Sequence, residues 1–595
     1  MGNTMALLLF PIEHPFYSLL LAIVLAVPAT AVWLAYSIFI SPRWSSLRDV
    51  PGPPRKSLLW GNMETIFQDE PGRSHIQWNE QFGGAARYHG MLGAQRLVLF
   101  DSTALNHVLL SNCYDYPKPD EVRGDLAMIL GKGVLFAEGD DHRRQRRIMQ
   151  PAFSPAHIRA LGPIFFEHAY KLRDIWRNTV NTGADDEKAF PSAEAFEQYR
   201  KGKSSSSGEV TIDIMPWLSR LTLDIIGMTG FGYRFDSLNR SENKLAMAFA
   251  GMFSPSAVAK KPKPSAFLIQ RTIGFFIRAL PILNIAKWIP NERIQRVRQG
   301  FATLELESRN IIESKQDQVE KDGLDSVRGS KDLIALLLKS ASTDAKAKMT
   351  PEELRGQLTT FLLAGHETTS TSLTWTLWTL SRHPEMQAKL RAEIRDARKT
   401  AQDNGLDEIE SDELNALPYL DAVTREILRL ESPVSATVRH AAQDDVIPLT
   451  RPIRSNLDPT ATISHISVRK GQTIFIPITA VNHSKEIFGP DAGEFKPERW
   501  LGSEGEKIQG KVGVWSSMLT FLAGPRSCIG YKFALLELKT ILATLIDEFE
   551  FALRDPPFEI ERRSAIVMRP LLVGEELLGN RMPLRISLAK RDQED

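Results

Sequence analysis

The segment TPEELRGQLTTFLLAGHETTSTSLTWTLWTLSRHP, which begins at Thr350, constrains the fold of this chain more than any other. Thr350 can cap a helix, Pro351 suits its first position and Glu353 completes a capping box. The spacing predicts one helix running to about Arg382, on the order of 48 Å long at about 1.5 Å per residue. Such a helix crosses the core of a large domain. Its middle reads AGHETTS. Gly365 in a helix interior costs about 1 kcal/mol relative to Ala, and Glu367 and Thr368 are polar in a helix apolar along much of its face. A threonine hydroxyl can bond a carbonyl of the preceding turn and loosen the helix. A glycine allows something flat or bulky to approach. The plain alternative is a solvated polar notch. His366-Glu367 opens like a zinc-protease motif, but Ser370 stands where the second histidine would be, which excludes that reading.

A chain of 595 residues, 43% hydrophobic and 24% charged, can bury a large core and a cofactor with it. A net charge of +1 gives no bulk argument for nucleic acid. Two distant cysteines, Cys113 and Cys528, make no disulfide scaffold and point to a reducing environment. Cys113 reads as packing. From Phe16 to Ser41 there is no charged side chain, and Tyr17 to Ile40 would span roughly 36 Å as a helix. That suffices for one bilayer crossing, and Pro28 is tolerable there. No Lys or Arg precedes the stretch, whereas Arg43, Arg48, Arg55 and Lys56 follow it. This favours an anchor over a cleaved signal peptide and leaves the bulk of the chain on the cytosolic side. VPGPPRKSLLWGN follows as a stiff, non-helical hinge or linker. The expected organisation is an anchor over 1–41, a proline-rich hinge over 42–56 and a catalytic body over 57–595.

Helical patterns dominate the body. VTIDIMPWLSRLTLDIIGMTGFG has helical spacing and ends in glycine. QRLVLF and QTIFIPI read as strands. The stretch around 181–209, with its serine run, reads as a flexible surface insertion. SPSAVAKKPKPSAF and RKTAQDNGLDEIESDE read as further loops. The fold class is mainly α with small β-sheets.

Three further patterns carry chemistry. YLDAVTREILRLESP places Glu426 and Arg429 one turn apart, a pair worth about 0.2–0.5 kcal/mol on a surface. Arg499, in FKPERW, could extend it into a buried network. HRRQRR crowds Arg143, Arg144, Arg146 and Arg147, a solvated face or a site for carboxylates. FLAGPRSCIG surrounds Cys528 with Gly524, Arg526 and Gly530. The glycines let backbone N–H groups turn toward sulfur, Arg526 adds positive charge, and a helix-like stretch begins at the cysteine. These features favour a thiolate, serving either as a nucleophile or as a soft metal ligand.

Together these residues resemble the cytochrome P-450 superfamily of haem-thiolate monooxygenases, microsomal and fungal in type. The pattern FxxGxRxCxG is met by Phe521, Gly524, Arg526, Cys528 and Gly530. AGHETT matches the oxygen-activation motif, Glu426 and Arg429 match ExxR, and Arg499 lies in PERW where the family has PERF. The resemblance implies the P-450 fold behind an N-terminal transmembrane helix. It implies haem b with Cys528 as axial ligand, which favours O–O cleavage. Phe521 would pack near the sulfur, and Glu367 and Thr368 would deliver protons. Glu426, Arg429 and Arg499 would form a structural network behind the haem. Arg146, Arg439 and Arg526 would pair with its propionates. His142 replaces a usual tryptophan and would bond a propionate or be polar surface. Leu522 and PERW are mild departures.

The implied activity inserts one oxygen atom of dioxygen into a lipophilic small molecule, a terpenoid or related secondary metabolite. NADPH would supply electrons through a membrane-bound cytochrome P-450 reductase, since no GxGxxG follows a strand here. The implied location is the endoplasmic reticulum membrane, single-pass, with the catalytic domain cytosolic. A haem-thiolate isomerase or dehydratase, or a haem sensor, would have no need of Glu367 and Thr368.

Overall fold

Capping chemistry sets the long central helix where the sequence places it. The computed structural model describes residues 35–187, 193–202, 208–239, 292–322, 349–508 and 512–590, with a few isolated positions besides. The helices that frame the site are α1 (Gly139–Met149), α2 (Gly162–Thr182), α3 (Ile214–Phe231), α4 (Pro351–Ser381), α5 (Pro384–Asp403), α6 (Pro418–Leu430) and α7 (Tyr531–Glu548). At the start of α4 the Glu353 N–H donates to the Thr350 hydroxyl at 3.1 Å, and the Thr350 N–H donates to the Glu353 carboxylate at 2.8 Å. Most of α4 from Gly356 to Leu380 is buried, with α3, α6 and α7 packed against it.

The sheets are small. Strands β1 (Ala85–His89), β2 (Gln95–Leu99), β3 (Thr437–His440) and β4 (Thr473–Ile476) form one sheet in the order β1-β2-β4-β3. β2 and β4 pair in parallel, with Leu97 opposite Ile474, and the other pairs are antiparallel. β2 and β4 are the two strands expected from QRLVLF and QTIFIPI. A hairpin of β5 (Ile560–Ala565) and β6 (Val567–Leu572) lies beside α4. The architecture is mainly helical with small sheets.

Several expectations change. VTID is a strand, Glu209–Asp213, paired with Pro583–Leu588 before α3 begins. An apolar alternation buried between elements cannot be told from a helix turn by periodicity alone. Within the expected flexible insertion, Ala193–Gly202 is helical and Phe190 is buried. Its EAFEQYRK run is made of good helix formers, while Ser204 to Ser207 lie outside the described residues. RKTAQDNGLDEIESDE is largely helical at both ends, because α5 runs on to Asp403 and Ser411–Ala416 forms a short helix. The proline-rich hinge is part of the body and no free linker. Leu47 and Val50 are in the core, and the Arg87 N–H donates to the Pro51 carbonyl at 2.8 Å.

Most of the expected anchor lies outside the described residues, as does SPSAVAKKPKPSAF apart from one position. Among the described residues, no helix is long and apolar enough to cross a membrane.

Candidate active site

The loop before α7 folds as its glycines require. Gly524 has φ +65°, and a Cβ there would lie 2.1 Å from the Leu109 carbonyl oxygen. Gly524→Ala is therefore expected to lower stability by about 2–5 kcal/mol, combining a left-handed backbone with overpacking. Denaturant unfolding checks this, and a variant within about 0.5 kcal/mol of wild type would contradict it. Leu522 also has a positive φ, of 56°, so this departure is less mild than the resemblance implied.

α7 begins at Tyr531, three residues beyond Cys528, and not at the cysteine. The Cys528 N–H donates to the Phe521 carbonyl at 2.9 Å. The Phe521 ring sits edge-on to Trp515 at 5.6 Å and tilted to Tyr531 at 5.9 Å. Cys528 is accessible by area, yet burial pushes its thiol up, while the Gly530 N–H and Arg146 pull it back. Arg146 donates to the Ser527 carbonyl at 2.6 Å and to its hydroxyl at 3.3 Å, bracing the loop.

α4 presents the second surface. Between residues 360 and 377 only Ala364, Gly365 and Thr368 are not buried, which makes a notch in an otherwise enclosed helix. The Thr368 hydroxyl donates to the Ala364 carbonyl at 2.7 Å. Gly365 makes room for Ile226 of α3, whose side chain would meet a Cβ at 2.9 Å. Glu367 is buried and no part of a solvated notch. Its carboxylate pairs with Arg569 of β6 and lies 3.1 Å from His366 Nε2. Burial pushes Glu367 up, but Arg569 and His366 outweigh it and hold the carboxyl at about 2.

A cationic cluster completes the site. Arg526 pairs with Glu138 and donates to the Cys113 carbonyl. Lys118 pairs with the same Glu138 at 2.5 Å, and burial lowers it to about 8. Arg439 is buried, and burial and Arg526 bring it down to about 10. His142 is buried and not polar surface: its Nδ1 lies 3.1 Å from the Tyr114 hydroxyl. Burial and the nearby Arg526 lower it to about 4, so it is neutral. Of the arginine run, Arg146 braces the cysteine loop and Arg144 pairs with Glu353 of the capping box, while Arg143 pairs with Asp140 at 2.6 Å near the surface. Lys118, Glu138, Tyr114 and Arg569 were not readable in advance, because no motif marks them.

The Glu426–Arg429 pair is fully buried, with Arg429 forking onto both carboxylate oxygens at 2.7 and 2.9 Å. Arg499 reaches the same carboxylate at 3.3 Å. Trp500 donates its indole N–H to it at 2.9 Å, a bond that phenylalanine could not make.

This donor set fits haem. Cys528 is exposed at its loop, and Lys118, Arg439 and Arg526 gather around one carboxylate, Glu138. Arg526 Nε is buried and without a hydrogen-bond partner among the described residues. Two carboxylates from a bound group would balance these cations.

The comparisons agree. The family model for Cytochrome P-450 matches residues 51–573. The chain is similar to Cytochrome P-450 monooxygenase 205 of Postia placenta, 38% identical over 588 residues, covering 96% of this chain and 98% of that protein. It is similar to monooxygenase 128 of the same fungus, 38% identical over 562 residues, covering 93% and 95%. It is also similar to Cytochrome P-450 monooxygenase claO of Ampulloclitocybe clavipes, 34% identical over 545 residues, covering 90% and 92%. From the cysteine loop to the notch on α4, and along nearly its whole length, the chain belongs to the cytochrome P-450 family.

Proposed function

We propose that this chain is a membrane-anchored monooxygenase that inserts one oxygen atom of dioxygen into a lipophilic small molecule. The observation that carries this reading is the exposed Cys528 in its glycine-bounded loop, combined with the notch at Ala364, Gly365 and Thr368 on α4. Haem b, held through that sulfur, supplies the oxygen chemistry when bound. Lys118, Arg439 and Arg526 would hold its carboxylates, with Glu138 fixing Arg526 and Lys118. Arg146 and the Gly530 N–H moderate charge on the sulfur, and Phe521 packs against the loop. His142, neutral, orients Tyr114. Thr368 would bind the water or hydroxyl through which a proton moves, and Glu367 would relay it.

Electrons would come from NADPH through a cytochrome P-450 reductase docking on the face nearest Cys528. Residues 1–41 would anchor the body, leaving it cytosolic at the endoplasmic reticulum. The exposed Trp33, Tyr36, Phe39 and Trp44 near the start of the described chain support a membrane interface. A terpenoid or related secondary metabolite suits the fungal relatives. The acid and alcohol on α4 argue against an isomerase or dehydratase.

The test is the reduced carbon-monoxide spectrum of the holoprotein. Wild type is expected to show the thiolate-type Soret band and Cys528→Ser to lose it. A persisting band would overturn the ligand.

A further inference from the structure

The turn just before the cysteine loop is left-handed at both of its central residues. The Met518 N–H donates to the Trp515 carbonyl at 3.3 Å, and between them Ser516 has φ 55° and Ser517 φ 54°. Turns of this hand favour Asn-Gly, because a side chain crowds the backbone at positive φ. Serines keep such a turn only where the surroundings fix it. The chain has little freedom at the start of the turn. Gly513 has φ +83°, and a Cβ there would lie 1.9 Å from the Met518 carbonyl oxygen.

The group that fixes the turn is Arg425, on α6 beside Glu426. Its guanidinium donates to the Ser516 hydroxyl and, at 2.5 Å, to Asp421. It lies over the Trp515 ring at 5.1 Å and over the Trp500 ring at 5.9 Å, within cation–π range of both. Each of these neighbours is held in turn. Asp421 also accepts from Lys539 of α7 at 2.7 Å, and Trp500 is tied to Glu426 through its indole N–H. Arg425 is thereby fixed from α6 and α7 alike.

The turn in its turn reaches the cysteine loop. Trp515 sits edge-on to Phe521 at 5.6 Å, and the Val514 N–H donates to the Leu522 carbonyl at 2.9 Å. Phe521 is the residue whose carbonyl accepts from the Cys528 N–H. Contacts therefore run without a break from Arg425 through Ser516 and Trp515 to the backbone of the cysteine.

We propose that Arg425 is a positioning residue for the cysteine loop. It holds the Ser516–Ser517 turn in its left-handed form, and that form keeps Trp515 packed on Phe521, shielding the loop from water. Arg425 acts through the turn and not through its charge. The bearing on the sulfur rests on the haem reading given above, whereas the coupling of Arg425 to the turn does not.

The ferric–ferrous potential of the holoprotein tests the proposal. Water admitted near a thiolate ligand raises that potential, whereas the loss of a nearby cation lowers it. Arg425→Met frees the turn and is expected to favour reduction by about tenfold in the equilibrium constant, which is about 59 mV for one electron. Ser516→Gly in the same background removes the strain and should reverse most of the shift. Ser516→Ala and Ser516→Gly in the otherwise wild-type chain give a second measure. Both lose the hydroxyl, but only alanine still resists the left-handed backbone. Alanine should therefore raise the potential, and glycine should leave it near wild type. The loss of denaturant midpoint caused by Arg425→Met should also be smaller in Ser516→Gly than in wild type. A downward shift in Arg425→Met, no shift, or an upward shift that Ser516→Gly fails to reverse overturns the positioning role. Equal potentials in Ser516→Ala and Ser516→Gly overturn it as well. Should Arg425→Met fail to accumulate, the two Ser516 variants still decide. A thiolate-type band persisting in Cys528→Ser would overturn the haem ligand and leave the denaturant midpoints as the measure of the coupling, so the two readings fail separately.

Discussion

Arg429→Ala is expected to abolish accumulation of folded haem protein. The guanidinium satisfies both oxygens of a fully buried Glu426 and donates to the carbonyls of Asn482, Ala492 and Glu494. Removing one partner of a buried ion pair costs about 3–5 kcal/mol. The carbonyls left behind add about 1 kcal/mol each. That sum is comparable with the whole stability of a domain, about 5–15 kcal/mol.

The loss would reach the site directly. Asn482, whose carbonyl Arg429 holds, accepts from the Leu519 N–H at 2.8 Å and donates to Thr520 at 2.9 Å, just before Phe521. Arg429→Lys keeps the charge but not the fork, and is expected to recover little. Lys171→Ala, which breaks the exposed pair with Glu167, should stay within about 0.5 kcal/mol. Soluble yield, haem content and denaturant midpoints measure all three. An Arg429→Ala protein with wild-type midpoint and haem content would show that the network does not brace the loop.

What the sequence made legible follows from how far each contact reaches. The cysteine loop is legible because its own turn needs the pattern: Gly524 has a positive φ and the Cys528 N–H returns to the Phe521 carbonyl, whereas the distant partners of Gly524 and Arg526, Leu109, Cys113 and Glu138, are not marked. The α4 capping box is legible for the same reason. Arg569 is not, because it meets Glu367 across 202 positions and stands in the sequence as a lone arginine in a strand. Lys118 and Glu138 read as ordinary surface charges until the fold puts them beside Arg526. Arg146, which the resemblance pairs with a propionate, also donates to Ser527 and holds the loop, a contact that no spacing marks. The resting state of Glu367 is not legible either, because its ion pair with Arg569, invisible in the sequence, holds it as a carboxylate.

Arg569→Met is expected to add to turnover a pH dependence from Glu367 that the ion pair suppresses in wild type. With Arg569 present, Glu367 is held at about 2 and does not titrate under ordinary assay conditions. Without it, burial acts on Glu367 with only His366 opposing. Losing a buried pair worth about 3–5 kcal/mol moves an acid by roughly two to four pH units, at about 1.4 kcal/mol per unit. The product-formation profile of the variant should gain an inflection between about pH 4 and about pH 6. Stability follows the depressed folded-state value. Wild type gains stability from this carboxylate above the ordinary glutamate value of 4.5, and loses it as pH falls toward about 2. Wild type and Arg569→Met should therefore differ in midpoint near neutrality and converge in acid. Glu367→Gln removes the titration altogether, and as the loss of a proton relay it should lower coupled turnover by about 100-fold. If Arg569→Met kept the wild-type profile while Glu367→Gln kept full turnover, Glu367 would be a packing ion pair, and Thr368 would draw its proton from elsewhere.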